Sequence, residues 1–78
     1  MKVIGLVGGT SWISSVDYYR LFNEITNQRL GGNEAAKIVL YSVNYGEIVT
    51  YTHQGNWDAI AAIIADAAQK VEKAGADC

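Results

Sequence analysis

The sequence predicts an α/β fold: a parallel sheet with flanking helices, in the order strand, helix, strand, helix and the start of a third strand. Three observations lead there. Residues 3–7 and 37–43 are short apolar runs that are continuous rather than alternating, as in strands covered on both faces. Each run is followed by a longer segment in which apolar residues recur at helical spacing. Glycines stand at the joints, in the pairs Gly8-Gly9 and Gly31-Gly32 and singly at Gly55 and Gly75. Alternating strands and helices give parallel strands joined by right-handed crossovers.

The first strand, Val3-Ile4-Gly5-Leu6-Val7, ends at Gly8-Gly9. Ser11, Ser14 and Ser15 then offer N-caps, and Ser14 with Asp17 three residues on makes a weak capping box. The helix runs to about Leu30. Tyr18, Leu21, Phe22 and Ile25 share one face, which is expected to meet the core. Arg29 suits the negative end of the helix dipole, and Gly31-Gly32 stops the helix. Residues 37–43, Lys-Ile-Val-Leu-Tyr-Ser-Val, form the second strand. Residues 45–52 fit either a short helix or a mobile loop. Asn56 caps the next helix, with Asp58 in its first turn. Ile60, Ile63, Ile64, Ala67, Val71 and Ala74 make its apolar stripe, and Gly75 ends it. Ala76-Asp77-Cys78 begins a third strand.

The 78 residues make one small domain at most. Two strands and a stub leave sheet edges open, and a two-stranded sheet is barely stable alone. The expectation is therefore the N-terminal piece of a longer protein. Half of the residues are hydrophobic and 18% are charged, which excludes a disordered chain. A net charge of −2 with scattered lysines and arginines offers no nucleic-acid face. One cysteine, Cys78, cannot form an internal disulfide, and with the single histidine, His53, it makes no zinc site. No segment approaches the roughly 18 apolar residues of a membrane helix, and residues 3–7 are too short for a signal-peptide core. A cytoplasmic protein is expected.

Ligands of open α/β sheets bind outside the carboxyl ends of the strands. Gly8 and Gly9 lie there, just before a helix whose free N–H groups attract anions. The same two glycines are also explained by a tight turn alone. No lysine follows them as a phosphate loop requires, and Gly5, Gly8 and Gly9 do not match the dinucleotide spacing. Val43-Asn44 stands where a dinucleotide site wants an acidic residue. A small carboxylate fits this loop better than a nucleotide.

Met1 to Trp12, with its apolar strand and Gly-Gly-Thr-Ser-Trp, resembles the opening of the aspartate/glutamate racemase family. The likeness continues through Tyr18-Tyr19-Arg20-Leu21, Asn23-Glu24, Arg29-Leu30-Gly31-Gly32, Ala36-Lys37, Tyr41-Ser42-Val43, Glu47-Ile48, Gly55-Asn56-Trp57-Asp58 and Ala74-Gly75-Ala76-Asp77. The resemblance implies that residues 1–78 are the N-terminal portion of the first α/β domain of a two-domain racemase. It implies an isomerase without a cofactor, a small amino-acid substrate (aspartate or glutamate) and a homodimer when full length. In such an enzyme two cysteines face the substrate from opposite sides. One thiolate removes the α-proton and the other thiol delivers a proton to the opposite face, an acid and a base held at once. Cysteine suits this because a modest lowering of its pKa gives a thiolate near neutrality.

Cys78 is not expected to be either thiol. In the family the first catalytic cysteine lies in a Cys-Thr-Asn motif at the carboxyl end of the strand after Ala-Gly-Ala-Asp, whereas Cys78 follows Asp77 directly. A strand of four or five residues spans roughly 13–17 Å. Both catalytic cysteines are thus expected beyond Cys78, which itself reads as a small buried hydrophobe. Thr10, Ser11 and Trp12 match the family's substrate-lining Met-Ser-Trp, and Thr52 stands where some relatives carry a substrate-contacting glutamine. Thr10 replaces the common methionine and Ile13 the common glutamate. His53 reads as solvated in a polar loop, Trp57 as a packing anchor and Tyr19 as a contact to a partner subunit. The alternative is a carboxylate- or nucleotide-binding α/β module without catalysis.

Overall fold

The computed structural model describes residues 1–78. Its elements are β1 (Ile4–Gly8), α1 (Trp12–Leu30), β2 (Ile38–Ser42), α2 (Tyr45–His53) and α3 (Trp57–Lys73). β1 and β2 pair in parallel, with Ile4 opposite Ile38 and Gly8 opposite Ser42. The α/β class read from the apolar runs and helical periods is the observed one. The pleat sends Ile4, Leu6 and Gly8 to one face together with Ile38, Leu40 and Ser42, and Gly5, Val7, Val39 and Tyr41 to the other. α1 lies on the first face and α3 on the second.

α3 forms as its sequence dictates. The Asn56 side chain accepts a hydrogen bond from the Ala59 N–H at 3.2 Å, Asp58 sits in the first turn, and Lys70 and Lys73 sit in the last. Ala67 is fully buried and Val71 is buried against the sheet, while Ile60, Ile63 and Ile64 are half-buried. Ala74 is the C-cap and is exposed, so the apolar stripe ends one turn earlier than its period suggests.

Residues 76–78 do not complete a strand, yet they lie along the edge of β1 that faces away from β2. The Asp77 N–H donates to the Val3 carbonyl at 2.8 Å and the Gly5 N–H to the Cys78 carbonyl at 2.7 Å. Gly5 is what allows this approach: a Cβ there would stand 2.8 Å from the Ala76 Cβ and 3.2 Å from Val71 Cγ2. Cys78 is exposed, which corrects the expectation of a buried hydrophobe.

α1 departs furthest from expectation. The residues turned toward the sheet are Ser15, Phe22, Asn23 and Thr26, whereas Leu21 and Ile25 are exposed and Tyr18 is 54% exposed. Apolar side chains flank this inner row on both sides, and a sheet of two strands is too narrow to cover either flank. Ser11, rather than Ser14 or Ser15, is the N-cap, and its side chain makes no capping bond. Residues 45–53 form a helix, capped by the Asn44 side chain, which accepts from the Gly46 N–H at 3.0 Å. His53 is its last residue and exposed, so it stands on a helix end rather than in a loop. Trp57 is also exposed, not a packing anchor within this chain.

Only six of the 78 residues are buried, and no large side chain is fully so. The Cα radius of gyration is 14.5 Å, against about 11.5 Å for a compact chain of this length. The accessible surface of 5504 Å² likewise exceeds the roughly 4,700 Å² expected for this mass. Much of the uncovered apolar surface lies around α1. No helix is long and apolar enough to cross a membrane.

Candidate functional site: the loop after the first strand

Parallel pairing puts the ends of β1 and β2 side by side, so Gly8-Gly9 and Ser42-Val43-Asn44 meet at one end of the sheet. The Val43 N–H donates to the Gly8 carbonyl at 2.8 Å, extending the ladder one step beyond β2. Gly9 has φ +88°, and a Cβ there would collide with the backbone of Val43. A Cβ on Gly8 would collide with Ser15 Oγ. Both glycines are therefore required by the turn itself, and the tight turn and a binding role are compatible.

The Ser15 hydroxyl accepts from the Gly9 N–H at 2.9 Å and lies 3.4 Å from the Ser11 carbonyl, to which it donates. Neither bond is a helix cap. Serine at this position ties the turn to the first turn of α1. From the sequence Ser15 reads only as a possible cap, because a contact six residues back across a turn leaves no periodic trace.

Between these anchors the chain turns outward. The N–H groups of residues 10–14 meet no acceptor in the chain, since the first bond of α1 runs from the Ser15 N–H to the Ser11 carbonyl at 3.3 Å. α1 has no acidic residue in its first turn to repel an anion. Thr10 is exposed, Ser11 is half-buried, and Trp12 is 62% exposed. Trp12 borders an apolar cavity of about 380 Å³ with Val16, Tyr19, Leu40 and Ser42. Thr10, Ser11 and Trp12 thus form one continuous surface.

Thr52 lies elsewhere. It is exposed near the end of α2, and its hydroxyl donates to the Ile48 carbonyl at 2.7 Å within its own helix. No hydrogen bond joins it to the loop. The α3 side of the sheet end carries a different cluster. Lys70 Nζ lies 3.0 Å from Asp66 Oδ2, 3.2 Å from the Tyr41 hydroxyl and 4.9 Å from the Tyr41 ring centre. The hydrogen bond to Asp66, then that to Tyr41, raises the pKa of Lys70 above its usual value. No group of three or more His, Cys, Asp or Glu side chains is placed to hold a metal ion.

Cys78 stands beside Gly5, in the amino-terminal half of β1. Gly5 and Gly9 are four residues apart, roughly 13 Å along a strand.

No protein-family model matches the chain. Among solved structures, the chain is similar to the crystal structure of a "putative Asp/Glu Racemase" from Yersinia pestis, with a TM-score of 0.94 and 43% sequence identity. The match covers 99% of this chain and 34% of that one, so the chain spans about a third of the length of the protein it matches. The resemblance to aspartate/glutamate racemases read from the sequence therefore holds in three dimensions along essentially the whole chain.

Proposed function

From its likeness to the aspartate/glutamate racemase family, we propose that this chain is the N-terminal portion of the first α/β domain of an amino-acid racemase acting on aspartate or glutamate. The observation that carries the proposal is the fit of the chain to the "putative Asp/Glu Racemase" at 43% identity and a TM-score of 0.94; the unpaired backbone N–H groups of residues 10–14, beside an exposed Trp12, are the proposed carboxylate site. They stand at the carboxyl end of β1, where sheets of this kind take ligands. A substrate carboxylate received there gains several N–H donors and the positive end of the α1 dipole.

The chemistry is racemisation without pyridoxal phosphate. One cysteine thiolate takes the α-proton, and a second cysteine thiol on the opposite face returns a proton to the carbanion. With a single cysteine the chain cannot complete this step alone. The place of Cys78 beside Gly5, a strand's length from the loop, supports its exclusion from the chemistry. Thr10, Ser11 and Trp12 line the substrate side. Thr52 donates to the Ile48 carbonyl, so its hydroxyl oxygen is left to accept, as from a substrate ammonium group, rather than to donate. The exposed flanks of α1, with Tyr18 and Tyr19, suit a homodimer of the whole polypeptide. The reading carries with it a cytoplasmic setting.

The test is chiral chromatography after incubating L-aspartate or L-glutamate with the whole polypeptide that carries this chain, with no pyridoxal phosphate added. The D-enantiomer is expected from one of the two. Tight binding of the amino acid with no D-product would favour a binding module without catalysis.

A further inference from the structure

We propose that the cleft at the amino end of the sheet is a docking site for an acidic peptide segment that inserts one apolar side chain. The cleft lies between the first residues of the two strands and the last turn of α1, at the opposite end of β1 from Gly8-Gly9 and the loop after it. Its volume is about 230 Å³. Ile4, Leu30 and Ala36 give it apolar walls, and Lys2, Arg29 and Lys37 line it with positive charge. These are three of the six lysines and arginines in the chain. No acidic side chain lines the cleft, and none of the three cations is in an ion pair; the ion pairs of the chain are made by Arg20 and Lys70. The negative end of the α1 dipole draws on Arg29. Lys2 and Lys37 come from the strand ends and have no such partner.

The far wall is held in place by α1. Asn27 Nδ2 donates to the Gly32 carbonyl at 2.9 Å and to the Glu34 carbonyl at 3.0 Å, and the Ala36 N–H donates to Asn23 Oδ1 at 3.1 Å. These bonds fix the return from α1 to β2, so the cleft is formed before anything enters it. Its size and charge select the occupant. Small-molecule pockets run from about 300 to 1,000 Å³ and enclose most of their ligand. This cleft is smaller and open, with room for one group the size of a leucine or phenylalanine side chain. Lysine and arginine lay their stems along apolar surface and keep their charges at its rim. The groups that flank the inserted side chain are therefore carboxylates, and an acidic peptide carries both on one backbone. Complementary charge of this kind sets orientation and choice of partner more than strength.

The test uses the whole polypeptide that carries this chain, labelled with nitrogen-15, and the blocked peptide Asp-Glu-Phe-Glu-Asp. Saturable shifts are expected at the Ile4, Thr26 and Ala36 amides. The double variant Arg29→Gln/Lys37→Gln should weaken binding by about fivefold, at an unchanged Tm. Lys73→Gln, which removes a cation outside the cleft, should change it by less than about twofold. The peptide with serine for phenylalanine, and the one with asparagine and glutamine for its acids, should each bind more weakly than the parent. Absence of shifts at the three amides would overturn the proposal, and would mean that the cleft is already covered in the whole polypeptide or takes no peptide. Equal binding by the double variant or by either altered peptide would also overturn it. Inorganic phosphate that gives the same shifts at the same affinity would leave a simple anion site in its place.

Discussion

The two faces of the sheet are covered very differently. On one, α3 crosses both strands and buries Ala67 and Val71 against them. On the other, α1 meets mainly β1, leaving Leu40 of β2 44% exposed and Trp12, Tyr18 and Tyr19 of α1 in solvent. Both helices are apolar enough to pack. The difference lies in breadth: α3 has a single stripe with alanine at its centre, so its backbone comes close to a narrow sheet. α1 carries apolar residues on two flanks, and two strands cannot reach them. The closed face holds the buried side chains Ala67 and Val71, and the open face, with the loop at its end, leaves apolar surface uncovered.

The sharpest way to break the closed side is at the turn that joins the faces. Gly9→Ala forces a side chain into a left-handed conformation and onto the Val43 backbone. A loss of roughly 3 kcal/mol is expected, read by denaturant melting of the whole polypeptide. A loss under about 1 kcal/mol would show that the loop relaxes freely and that the turn is not fixed by β2.

Val71→Ala should cost about 2 kcal/mol, for a cavity in the closed face. Ile25→Ala removes more atoms from the open face, yet should cost under about 1 kcal/mol where that flank stays wet. If the Ile25 cost in the whole polypeptide equals that of Val71, further polypeptide or a partner subunit covers the α1 flank. The isolated 78-residue chain offers a complementary view. It should sediment as self-associated species and melt without a sharp transition, because apolar flanks and strand edges seek cover. A compact monomer with a two-state melt would contradict the open-face account.

The smallest effect concerns Lys70. Its pKa is raised by Asp66 and Tyr41, so what the cluster contributes is present below the unfolded lysine pKa and is lost as pH rises through the higher folded value. The Lys70 side chain is exposed to solvent and its ion pair is screened, so Lys70→Met should leave Tm within replicate scatter at pH 7. A clear drop in Tm would show that the Lys70–Tyr41 contact is shielded by neighbours.

The same contrast decides what could be read from the sequence. α3 was legible because Asn56, one apolar stripe and Gly75 all agree. The strands were legible as continuous apolar runs. The facing of α1 was not, since a helix with two apolar flanks has no periodic signal that chooses between them. α2 left a signal that the reading of residues 45–52 as helix or loop did not use: Asn44 followed three residues on by Glu47 is a capping pattern. The Thr10–Trp12 loop was located by its place after β1. The role of Ser15 was hidden, because Ser11, Ser14 and Ser15 are alike as cap candidates and only the fold brings one of them under Gly9.

The most direct measurement is deuterium incorporation at the α-carbon of L-aspartate and L-glutamate by the whole polypeptide in D2O, for wild type and Trp12→Ala. The account predicts D-product carrying solvent deuterium at the α-carbon. It also predicts a fall in kcat/KM of about tenfold or more for Trp12→Ala with an almost unchanged Tm, since Trp12 is largely exposed in this chain. An unchanged kcat/KM with a lowered Tm would contradict it and make Trp12 a packing residue.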